Sequence, residues 1–436
     1  MDKHDSQRIK DKIAVIGLGY VGLPLSVFLA KKGFLVTGID KDVSKITMLQ
    51  NSKSYIGDID DLTLKKVIDC GHFHATTNFE DIKDASTIII CVPTPLSKRK
   101  TPDLSFVMSA GKEIQKQLQK GQLVILESST FPGTTKEVLL PILEQSGLHA
   151  GIDFFLANSP ERIDPGNDKY RIEDIPKVIG GVTKKCTEKA ESLYGKVYRE
   201  VIPVSSTEAA ELTKLLENTF RFVNISFVNE MAILCDQLKI DFWEVVDAAS
   251  TKPYGFSPFY PGPGIGGHCI PVDPLYLQWK LQQMEMSSEF ITLSDRTNEK
   301  MIDYIVGRTE ELLHSMQSIS SAKILIYGIT YKRDVADTRD SPAVKIINKF
   351  KQKGAYVIYH DPYIPSITIE DHIFTNTELT EQVLNEMDCV IILTDHSIIP
   401  LDKILRHATL VFDTRNVTKR QQGTSRVVRL GEGTDL

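Results

Sequence analysis

The chain has 436 residues, of which 42% are hydrophobic and 25% are charged, and its formal net charge is −6 at pH 7. These values are those of a globular protein of two or three domains, each long enough to bury its own core. The charge balance argues against nucleic acid as a partner, and no stretch reaches the roughly 18 consecutive apolar residues of a membrane span. Because the N-terminal residues are polar and lack an apolar export segment, we expect a cytoplasmic protein.

From residue 12 to about 200, short β-branched runs alternate with stretches of helical period. Strands that alternate with helices are typical of a doubly wound parallel sheet, so this part is predicted to be a Rossmann-like domain, residues 1–204. The predicted strands are 12–16, 35–39, 87–92, 123–127 and 154–158, and the predicted helices are 23–32 and 104–119.

A glycine turn follows the first predicted strand and opens the first helix. It reads Gly17-Leu18-Gly19-Tyr20-Val21-Gly22, and Asp40 ends the second strand. Such a turn holds a dinucleotide pyrophosphate on backbone N–H groups, and a carboxylate at this place accepts from the ribose hydroxyls. Because Asp40 would repel a 2′-phosphate, the pattern favours NAD over NADP, although Lys41 and Lys45 lie nearby.

The pattern changes to helices after residue 204. The segment 205–208 predicts a capping box, and apolar residues recur at helical spacing from Leu212 to Met231. The apolar stripe is wide enough for both a domain core and a partner chain, so we expect a homodimer or higher homo-oligomer formed through this helix. Further helices are predicted at 242–249 and 296–316, within a central helical domain, residues 205–317.

The segment after residue 317 repeats the opening of the chain. Residues 323–328 parallel 12–17, and 354–361 parallel 33–40, but Gly19 and Gly22 fall on Thr330 and Arg333, beside Lys332. A turn with cations holds phosphate by side-chain charge rather than by backbone N–H groups. We therefore predict one NAD site and a distinct nucleotide-ligand site in a second Rossmann-like domain, residues 318–436. The predicted fold class is α/β, with two doubly wound domains joined by the helical one.

Cys269 is the most informative cysteine. The six cysteines form no C-x-x-C pair, which argues against a disulfide framework and a zinc site, and we expect no metal. Cys269 lies in a loop dense in glycine and proline, residues 261–269, which presents a thiol rather than burying it. A nearby Lys214 and Asp273 could shift the thiol toward its reactive form. A dyad with His268 is disfavoured, because neighbours in an extended chain point to opposite sides.

Other polar residues have both a structural and a functional interpretation. Lys214 and Asn218, four residues apart on the long helix, share one face and suit stabilisation of an oxyanion, although such a pair alone is more often a solvated helix face. The segments 127–133 and 157–162 follow neighbouring strands, where open parallel sheets bind ligands. As a lone glutamate, Glu161 would more often be a surface charge.

Taken in order, these motifs resemble those of the UDP-glucose/GDP-mannose dehydrogenase family. The resemblance rests on the segments 17–24, 92–95, 159–161, 214–218, 266–269 and 331–339, and it spans nearly the whole chain. It implies an NAD domain, a helical dimerising middle and a UDP-binding C-terminal domain. It also implies a four-electron oxidation of a sugar C6 alcohol that uses two NAD and a covalent thioester. Six catalytic residues are implied: Cys269 as nucleophile, Lys214 and Asn218 for oxyanions, Asp273 for proton transfer, Glu161 for thioester hydrolysis, and Thr130 for positioning water.

The remaining site residues are predictions from the turn and from the resemblance. Those expected at the cofactor are Gly17, Gly19, Tyr20, Val21, Gly22, Asp40, Lys45, Thr94, Thr130 and Arg339. Those expected at the UDP-sugar are Glu161, Arg162, Lys214, Asn218, Tyr260, Gly264, Gly266 and Lys332.

The expected substrate depends on two local departures from the UDP-glucose pattern. Residues 160–167 and 267–274 look like those of the branch that oxidises UDP-N-acetylhexosamines. We favour UDP-N-acetylglucosamine, followed by the galactosamine and mannosamine epimers and by UDP-glucose, with the acid used for surface polysaccharide. Lys252 lies near the place of a family arginine that acts across subunits, and the role of Arg415 is open.

Two other functions compete with this interpretation. A β-hydroxyacid dehydrogenase relative would perform one oxidation without a thiol, which Cys269 and the C-terminal domain disfavour. A non-catalytic sugar-nucleotide binder could keep the fold, but it would need neither NAD nor the thiol.

Overall fold

The computed structural model describes residues 11–57, 59–97, 99–163, 170–314, 317–419 and 423–433. The described residues form two compact units. The first lies within Met1–Glu217 and Leu275–Met286, and the second within Asn218–Pro274 and Ser287–Leu436. The division into three domains stays a prediction. Within the described ranges, no helix combines the length and apolar character that crossing a bilayer requires.

An eight-stranded sheet organises the first unit, in the order β3-β2-β1-β4-β5-β6-β7-β8. Neighbouring strands run parallel except for the antiparallel pair β6 and β7. Ile13 and Val15 of β1 pack into one apolar cluster and Ala14 and Ile16 into another, because successive side chains of a strand point to opposite faces. The strands are β1 (Lys12–Ile16), β2 (Leu35–Ile39), β3 (Phe73–Thr76), β4 (Thr87–Ile90), β5 (Leu123–Leu126), β6 (Phe155–Asn158), β7 (Lys177–Gly181) and β8 (Val201–Pro203).

Helices connect these strands, which confirms the doubly wound fold. They are α1 (Gly22–Lys31), α2 (Val43–Gln50), α3 (Asp61–Asp69), α4 (Ser105–Gln117), α5 (Leu140–Glu144) and α6 (Lys184–Tyr194). Shorter 3₁₀ turns lie at Phe79–Asp84 and Ile172–Asp174, and a π-helical turn lies at Thr134–Leu139.

The long helix α7 (Thr207–Leu238) contributes residues to both units. The predicted capping box is one residue out of place: the Ser206 hydroxyl, rather than that of Ser205, accepts the N–H of Ala209 at 3.1 Å. Glu208 instead accepts the Thr207 hydroxyl at 3.0 Å. Because α7 begins at Thr207, Ser206 is the residue that directly precedes the helix, and its hydroxyl is placed to accept the N–H of the third helical residue.

Three more helices follow α7. They are α8 (Phe242–Ala249), α9 (Asp273–Gln282) and α10 (Glu289–His314). The bounds of α8 are those predicted. α10 begins seven residues before the predicted start at residue 296, and the predicted end at Met316 lies outside the described residues.

The second unit contains the sheet that repeats the opening fold. Its five parallel strands have the order β10-β9-β13-β14-β15, and a separate hairpin pairs β11 with β12. The strands are β9 (Lys323–Tyr327), β10 (Tyr356–His360), β11 (Ser366–Ile369), β12 (His372–Thr375), β13 (Cys389–Ile392), β14 (Leu410–Asp413) and β15 (Arg426–Arg429). The helices are α11 (Pro342–Gln352), α12 (Glu381–Glu386) and α13 (Leu401–His407), with a 3₁₀ turn at Ile319–Ser321.

The first turn of each Rossmann-like sheet contains the same type of hydrogen bond, from a backbone N–H to an aspartate. The Leu18 N–H donates to Asp40 at 2.9 Å, and the Ile329 N–H donates to Asp361 at 2.7 Å. Asp361 is fully buried and also lies 3.2 Å from the ring of His396, whereas the Asp40 side chain is 14% exposed. The predicted repeat is thus confirmed, and the second turn differs in having its carboxylate enclosed by protein.

Candidate active site

The turn between β1 and α1 has the geometry that a dinucleotide requires. A Cβ on Gly22 would lie 1.8 Å from the carbonyl oxygen of Gly17, so only glycine lets the helix start this close to the strand. A Cβ on Gly19 would meet no atom within 4 Å, which leaves open space beside the turn. Tyr20 and Val21 complete the turn and are half-buried. Backbone N–H groups at this helix start are suited to a pyrophosphate.

Asp40 lies at the end of β2, as predicted. Its carboxylate accepts the N–H of Leu18 at 2.9 Å and that of Asp42 at 3.0 Å. Lys45 lies 3.8 Å away on α2, and the Tyr55 hydroxyl donates to the Leu18 carbonyl at 2.5 Å. The turn, its open space and this partly exposed carboxylate together fit NAD.

Two threonines follow the strands at the same edge of the first sheet. The Thr94 hydroxyl donates to the Ser129 carbonyl at 2.8 Å, and the Thr94 carbonyl accepts the Tyr276 hydroxyl. Thr130 is buried, and its hydroxyl has no hydrogen-bond partner within the described residues. A buried polar atom of this kind calls for a partner such as a ligand atom or a water.

Glu161 is a buried residue and not the surface charge that a lone glutamate suggests. One oxygen accepts the backbone N–H groups of Arg162 and Ile163, each at 2.6 Å, and the other lies 3.1 Å from the ammonium of Lys177. Sequence reasoning missed Lys177, because a single lysine at the start of an apolar strand usually points to solvent.

Arg162, predicted at the substrate, is held by protein contacts. Its guanidinium lies 2.7 Å from Glu217 of α7 and donates to the Pro176 carbonyl, also at 2.7 Å. The residues that continue the branch-specific motif, 164–167, lie outside the described residues.

A second buried glutamate, Glu211, joins α7 to the loop after β5. Its carboxylate accepts the N–H of Gly133 at 2.7 Å, and the N–H and hydroxyl of Thr135 at 2.8 and 2.7 Å. Burial raises the pKa of Glu211 to about 7. The sequence gives no signal for this contact, because it joins residues that are 78 and 76 positions apart.

Lys214 and Asn218 lie one turn apart on α7. Lys214 is half-buried, while Asn218 is buried and donates its amide to Asp273 at 2.5 Å. Asp273 is the first residue of α9 and is also buried. The structure therefore joins two of the predicted catalytic residues, Asn218 and Asp273.

Cys269 lies in the turn that leads into α9. It is half-buried, and its carbonyl accepts the N–H groups of Val272 at 3.1 Å and Asp273 at 2.9 Å. Gly267 has a φ of +87°, and a Cβ there would lie 2.7 Å from the ring of Tyr331. The glycines of the loop thus serve close packing as well as presentation of the thiol. Among the other cysteines Cys70 is exposed, and the buried ones are Cys91, Cys186, Cys235 and Cys389.

The preceding part of this loop packs within the second unit. A Cβ on Gly264 would lie 3.3 Å from both Asn298 and Pro342, and one on Gly266 would lie 2.8 Å from the Asp340 carbonyl. These glycines therefore pack against protein, and their predicted contact with substrate stays a prediction.

Lys332, predicted at the substrate, and Arg339, predicted at the cofactor, have different surroundings. Arg339 donates to both oxygens of Asp337 at 2.6–3.0 Å, and its carbonyl accepts the N–H of Gly267 at 3.1 Å. Lys332 is half-buried, and its carbonyl accepts the Thr330 hydroxyl at 2.9 Å. Their predicted roles stay predictions.

A cavity of about 340 Å³ opens beside Tyr260 in the second unit. The rings of Tyr260 and Trp243 are nearly parallel, 11° apart, with centroids separated by 6.1 Å. The Arg415 guanidinium donates to the Leu393 carbonyl at 2.9 Å. Sequence reasoning missed Trp243, although it is one of only two tryptophans in the chain. The lining includes Trp243, Asp247, Tyr260, Asp395, Arg415 and Lys419.

Three family models match the chain in order. They are those of the UDP-glucose/GDP-mannose dehydrogenase family: the NAD binding domain at residues 11–198, the central domain at 208–300, and the UDP binding domain at 325–420.

Similar proteins and structures extend over most of the chain. A UDP-N-acetyl-D-glucosamine 6-dehydrogenase of Pseudomonas aeruginosa is 38% identical over 81% of this chain and 83% of its own. A UDP-N-acetyl-D-mannosamine dehydrogenase of Methanococcus vannielii is 33% identical over 96% and 95%. The structure of a UDP-D-ManNAc dehydrogenase from Pyrococcus horikoshii has a TM-score of 0.87 at 33% identity and covers 97% and 99%. The chain therefore belongs to the UDP-glucose/GDP-mannose dehydrogenase family and is an NAD-dependent nucleotide-sugar dehydrogenase.

Proposed function

We propose that the protein oxidises the C6 alcohol of a UDP-N-acetylhexosamine to the uronic acid, with Cys269 as covalent nucleophile. The observation that carries this proposal is the turn at the start of α9, where Cys269 lies four residues before Asp273 and Asp273 binds the amide of Asn218 at 2.5 Å. A half-buried thiol, followed four residues later by a buried carboxylate that binds an amide of α7, suits covalent catalysis.

Four steps follow from the proposed residue roles. NAD, when bound, accepts the hydride that leaves C6 in each of two oxidations. After the first, the Cys269 sulfur bonds to the aldehyde carbon to give a thiohemiacetal, and after the second the adduct is a thioester. Lys214 and Asn218 stabilise the oxyanions, and Asp273 takes part in the proton transfers. Water, held by Thr130 and Glu161, then adds to the carbonyl carbon, and the C–S bond breaks to release the acid and the thiolate.

We assign the UDP part of the substrate to the cavity beside Tyr260. Aromatic faces such as those of Trp243 and Tyr260 suit stacking of a base, and the guanidinium of Arg415 suits ribose or phosphate oxygens. Arg415 also lies inside the segment that matches the UDP binding domain of the family.

UDP-N-acetyl-D-glucosamine is the substrate that we propose first. The segments 160–167 and 267–274 and the name of the Pseudomonas relative support it. The names of the Methanococcus and Pyrococcus relatives favour UDP-N-acetylmannosamine, so that epimer is the second candidate. The cytoplasm as compartment and surface polysaccharide as destination belong to the same proposal.

The oligomer that we propose is a homodimer formed through α7. Large apolar side chains recur along one face of this helix and are exposed, with Leu216 at 65% and Phe220 at 54%. A row of exposed apolar residues at helical spacing suits a partner helix. The other members of this row are Leu212, Phe227, Leu234 and Leu238.

A substrate panel tests the proposal directly. The purified protein is incubated with NAD and, separately, with the UDP-linked N-acetylglucosamine, N-acetylmannosamine, N-acetylgalactosamine and glucose, and NADH is counted per acid formed. We expect two NADH per acid, with the highest kcat/KM for UDP-N-acetylglucosamine. One NADH per sugar without acid would contradict the four-electron reaction.

Replacement of the nucleophile gives the matched test. Cys269→Ser should lower acid formation by at least about 10³-fold, equal to about 4 kcal/mol of activation free energy, while binding of NAD and UDP-sugar persists. The control is Cys70→Ser, because Cys70 is exposed and has no proposed role. Acid formation at the wild-type rate in Cys269→Ser would discard the thioester.

A further inference from the structure

Buried charged groups surround Glu161 in the first unit, and the proposed catalytic steps do not use them. Lys177 is the first residue of β7, and its ammonium lies 2.9 Å from Glu127 and 3.1 Å from Glu161. The side chains of Lys177, Glu127 and Glu161 are 3%, 0% and 9% exposed, respectively. An ammonium this deeply buried needs opposite charge around it, so the two carboxylates and Lys177 act as one unit.

The two carboxylates have different hydrogen-bond partners. Glu161 accepts two backbone N–H groups, those of Arg162 and Ile163, each at 2.6 Å, whereas Glu127 accepts the hydroxyl of Tyr194. A backbone N–H can only donate, so it favours the carboxylate anion. A tyrosine hydroxyl can donate a hydrogen bond to a carboxylate or accept one from a neutral carboxyl. The partners therefore favour negative charge on Glu161 and are compatible with either charge state of Glu127.

The directions of the pKa shifts agree with this division. Burial raises the pKa of Glu127 to about 7, and the charge of Glu161 acts in the same direction against that of Lys177. Burial also acts to raise the pKa of Glu161, but Lys177, Glu127 and the N–H of Ile163 outweigh it and lower the pKa. Near neutral pH, Glu161 is thus charged while Glu127 titrates.

Other titratable groups that face these carboxylates are neutral at that pH. Burial raises the pKa of the Cys91 thiol and of the Tyr194 and Tyr198 hydroxyls. The neighbouring Arg162 guanidinium is paired with Glu217 at 2.7 Å. Among the described residues, Lys177 is therefore the cation that contacts the side chain of Glu161 and lowers its pKa.

We propose that Lys177 is a positioning residue that keeps Glu161 ionised and fixed in orientation for hydrolysis of the Cys269 thioester. The inference rests on the proposed function. The two N–H groups hold one Glu161 oxygen and the Lys177 ammonium contacts the other, which fixes the plane of the carboxylate and keeps it anionic for the attacking water. The water oxygen bonds to the carbonyl carbon, the C–S bond breaks with sulfur leaving as thiolate, and the released proton passes to solvent.

Two substitutions at one position separate charge from packing. Lys177→Met removes the ammonium, and Lys177→Arg retains a cation. With the UDP-sugar that the wild-type protein oxidises, we expect Lys177→Met to slow acid release by about 10²-fold, whereas Lys177→Arg stays within about fivefold. The sugar adduct on Cys269, weighed by mass spectrometry after an acid quench, should accumulate in Lys177→Met.

The pH profile provides a readout that a purely structural role does not move. Loss of the ammonium raises the pKa of Glu161, so the carboxylate is protonated at a higher pH than in the wild-type protein. The acid limb of the hydrolysis rate should therefore shift to higher pH in Lys177→Met, and Lys177→Arg should restore it. A folded Lys177→Met with the wild-type acid limb and adduct level would overturn the inference.

A double variant covers the case in which Lys177→Met does not fold. Lys177→Met with Glu127→Gln removes one charge of each sign, and the introduced glutamine can still accept from Tyr194. We expect thermal stability to recover while the Cys269 adduct still accumulates. The acid limb of the hydrolysis rate should stay at the higher pH of Lys177→Met. If acid release recovers together with stability, Lys177 has only a structural role and the inference is wrong. Failure of the proposed function is distinguishable, because the wild-type protein would then form acid without a Cys269 adduct.

Discussion

At the scale of single residues, Asn218 and Asp273 show how two polar groups can be buried together. Asn218 is 4% exposed and Asp273 is 1% exposed, and one amide N–H of Asn218 donates to the Asp273 carboxylate at 2.5 Å. The bond fixes the amide plane, so the second N–H has a defined direction. A donor with a fixed direction stabilises a developing oxyanion more than a mobile donor does.

Asp273→Asn tests the carboxylate apart from the bond. The introduced asparagine can still accept from Asn218 through its amide oxygen, but it can neither bear negative charge nor take a proton. We expect kcat to fall by about 10²-fold with KM changed less than about threefold, measured from NADH formation. Asp303→Asn, at an exposed ion pair with Lys349, is the control and should match the wild-type protein. An Asp273→Asn enzyme with wild-type kcat would rule out a role in proton transfer.

Residues within short motifs could be predicted, and residues brought together by folding could not. Cys269 and Asp273 lie four positions apart in one segment, so the sequence alone indicates that they are close together. Lys177 meets Glu127 across 50 positions, and a lysine beside Val178 in an apolar strand gives no signal of burial. The same holds for Trp243, whose stacking with Tyr260 depends on where α8 packs.

At the scale of elements, Glu211 ties α7 to the π-helical turn after β5. Its carboxylate satisfies the N–H groups of Gly133 and Thr135, which lie at the start of that turn and have no helical partners. Lys214 lies one turn further along α7, so this contact fixes the part of the helix that bears a proposed catalytic cation.

Glu211→Ala should destabilise the protein by roughly 1–3 kcal/mol, because two buried N–H groups lose their acceptor. The measurement is thermal unfolding at pH 6. That pH is below the Glu211 pKa of about 7, so removal of a buried charge does not offset the loss. Glu299→Ala, at an exposed pair with Lys345, should shift the stability by less than about 0.5 kcal/mol. Equal stability of both variants would contradict the assigned contact.

Element bounds were predictable where the apolar period is unbroken. The strands β1 and β2 and the helix α8 have the predicted bounds, since a glycine or a polar residue directly follows each of them. The cap of α7 was misplaced because Ser205 and Ser206 are both good caps, and only the backbone path decides between them. The edge strands β3 and β8 were not predicted, because four and three residues are too few to show a period. The strand β7 was not predicted either, although it is as long as β1.

At the scale of the whole molecule, the exposed row on α7 bears on the oligomer. We expect Phe220→Glu to turn a dimer into a monomer at micromolar concentration, measured by light scattering after gel filtration, because a charge would be buried at the centre of the row. Ile373→Glu, at an exposed residue of β12, is the control and should remain dimeric. A Phe220→Glu dimer would exclude this face of α7.

The enclosed Asp361 bears on the order of events in a turnover. Its carboxylate is occupied by the turn of its own domain and by His396, so it has no surface to offer a ribose, whereas Asp40 keeps one. In the four-electron oxidation that we propose, a single dinucleotide position would then serve both halves of the reaction. The reduced cofactor would have to depart and an oxidised one arrive while the half-oxidised sugar stays bound. A covalent bond to sulfur would then serve mainly to retain the intermediate while the cofactor is exchanged, and not to speed either oxidation.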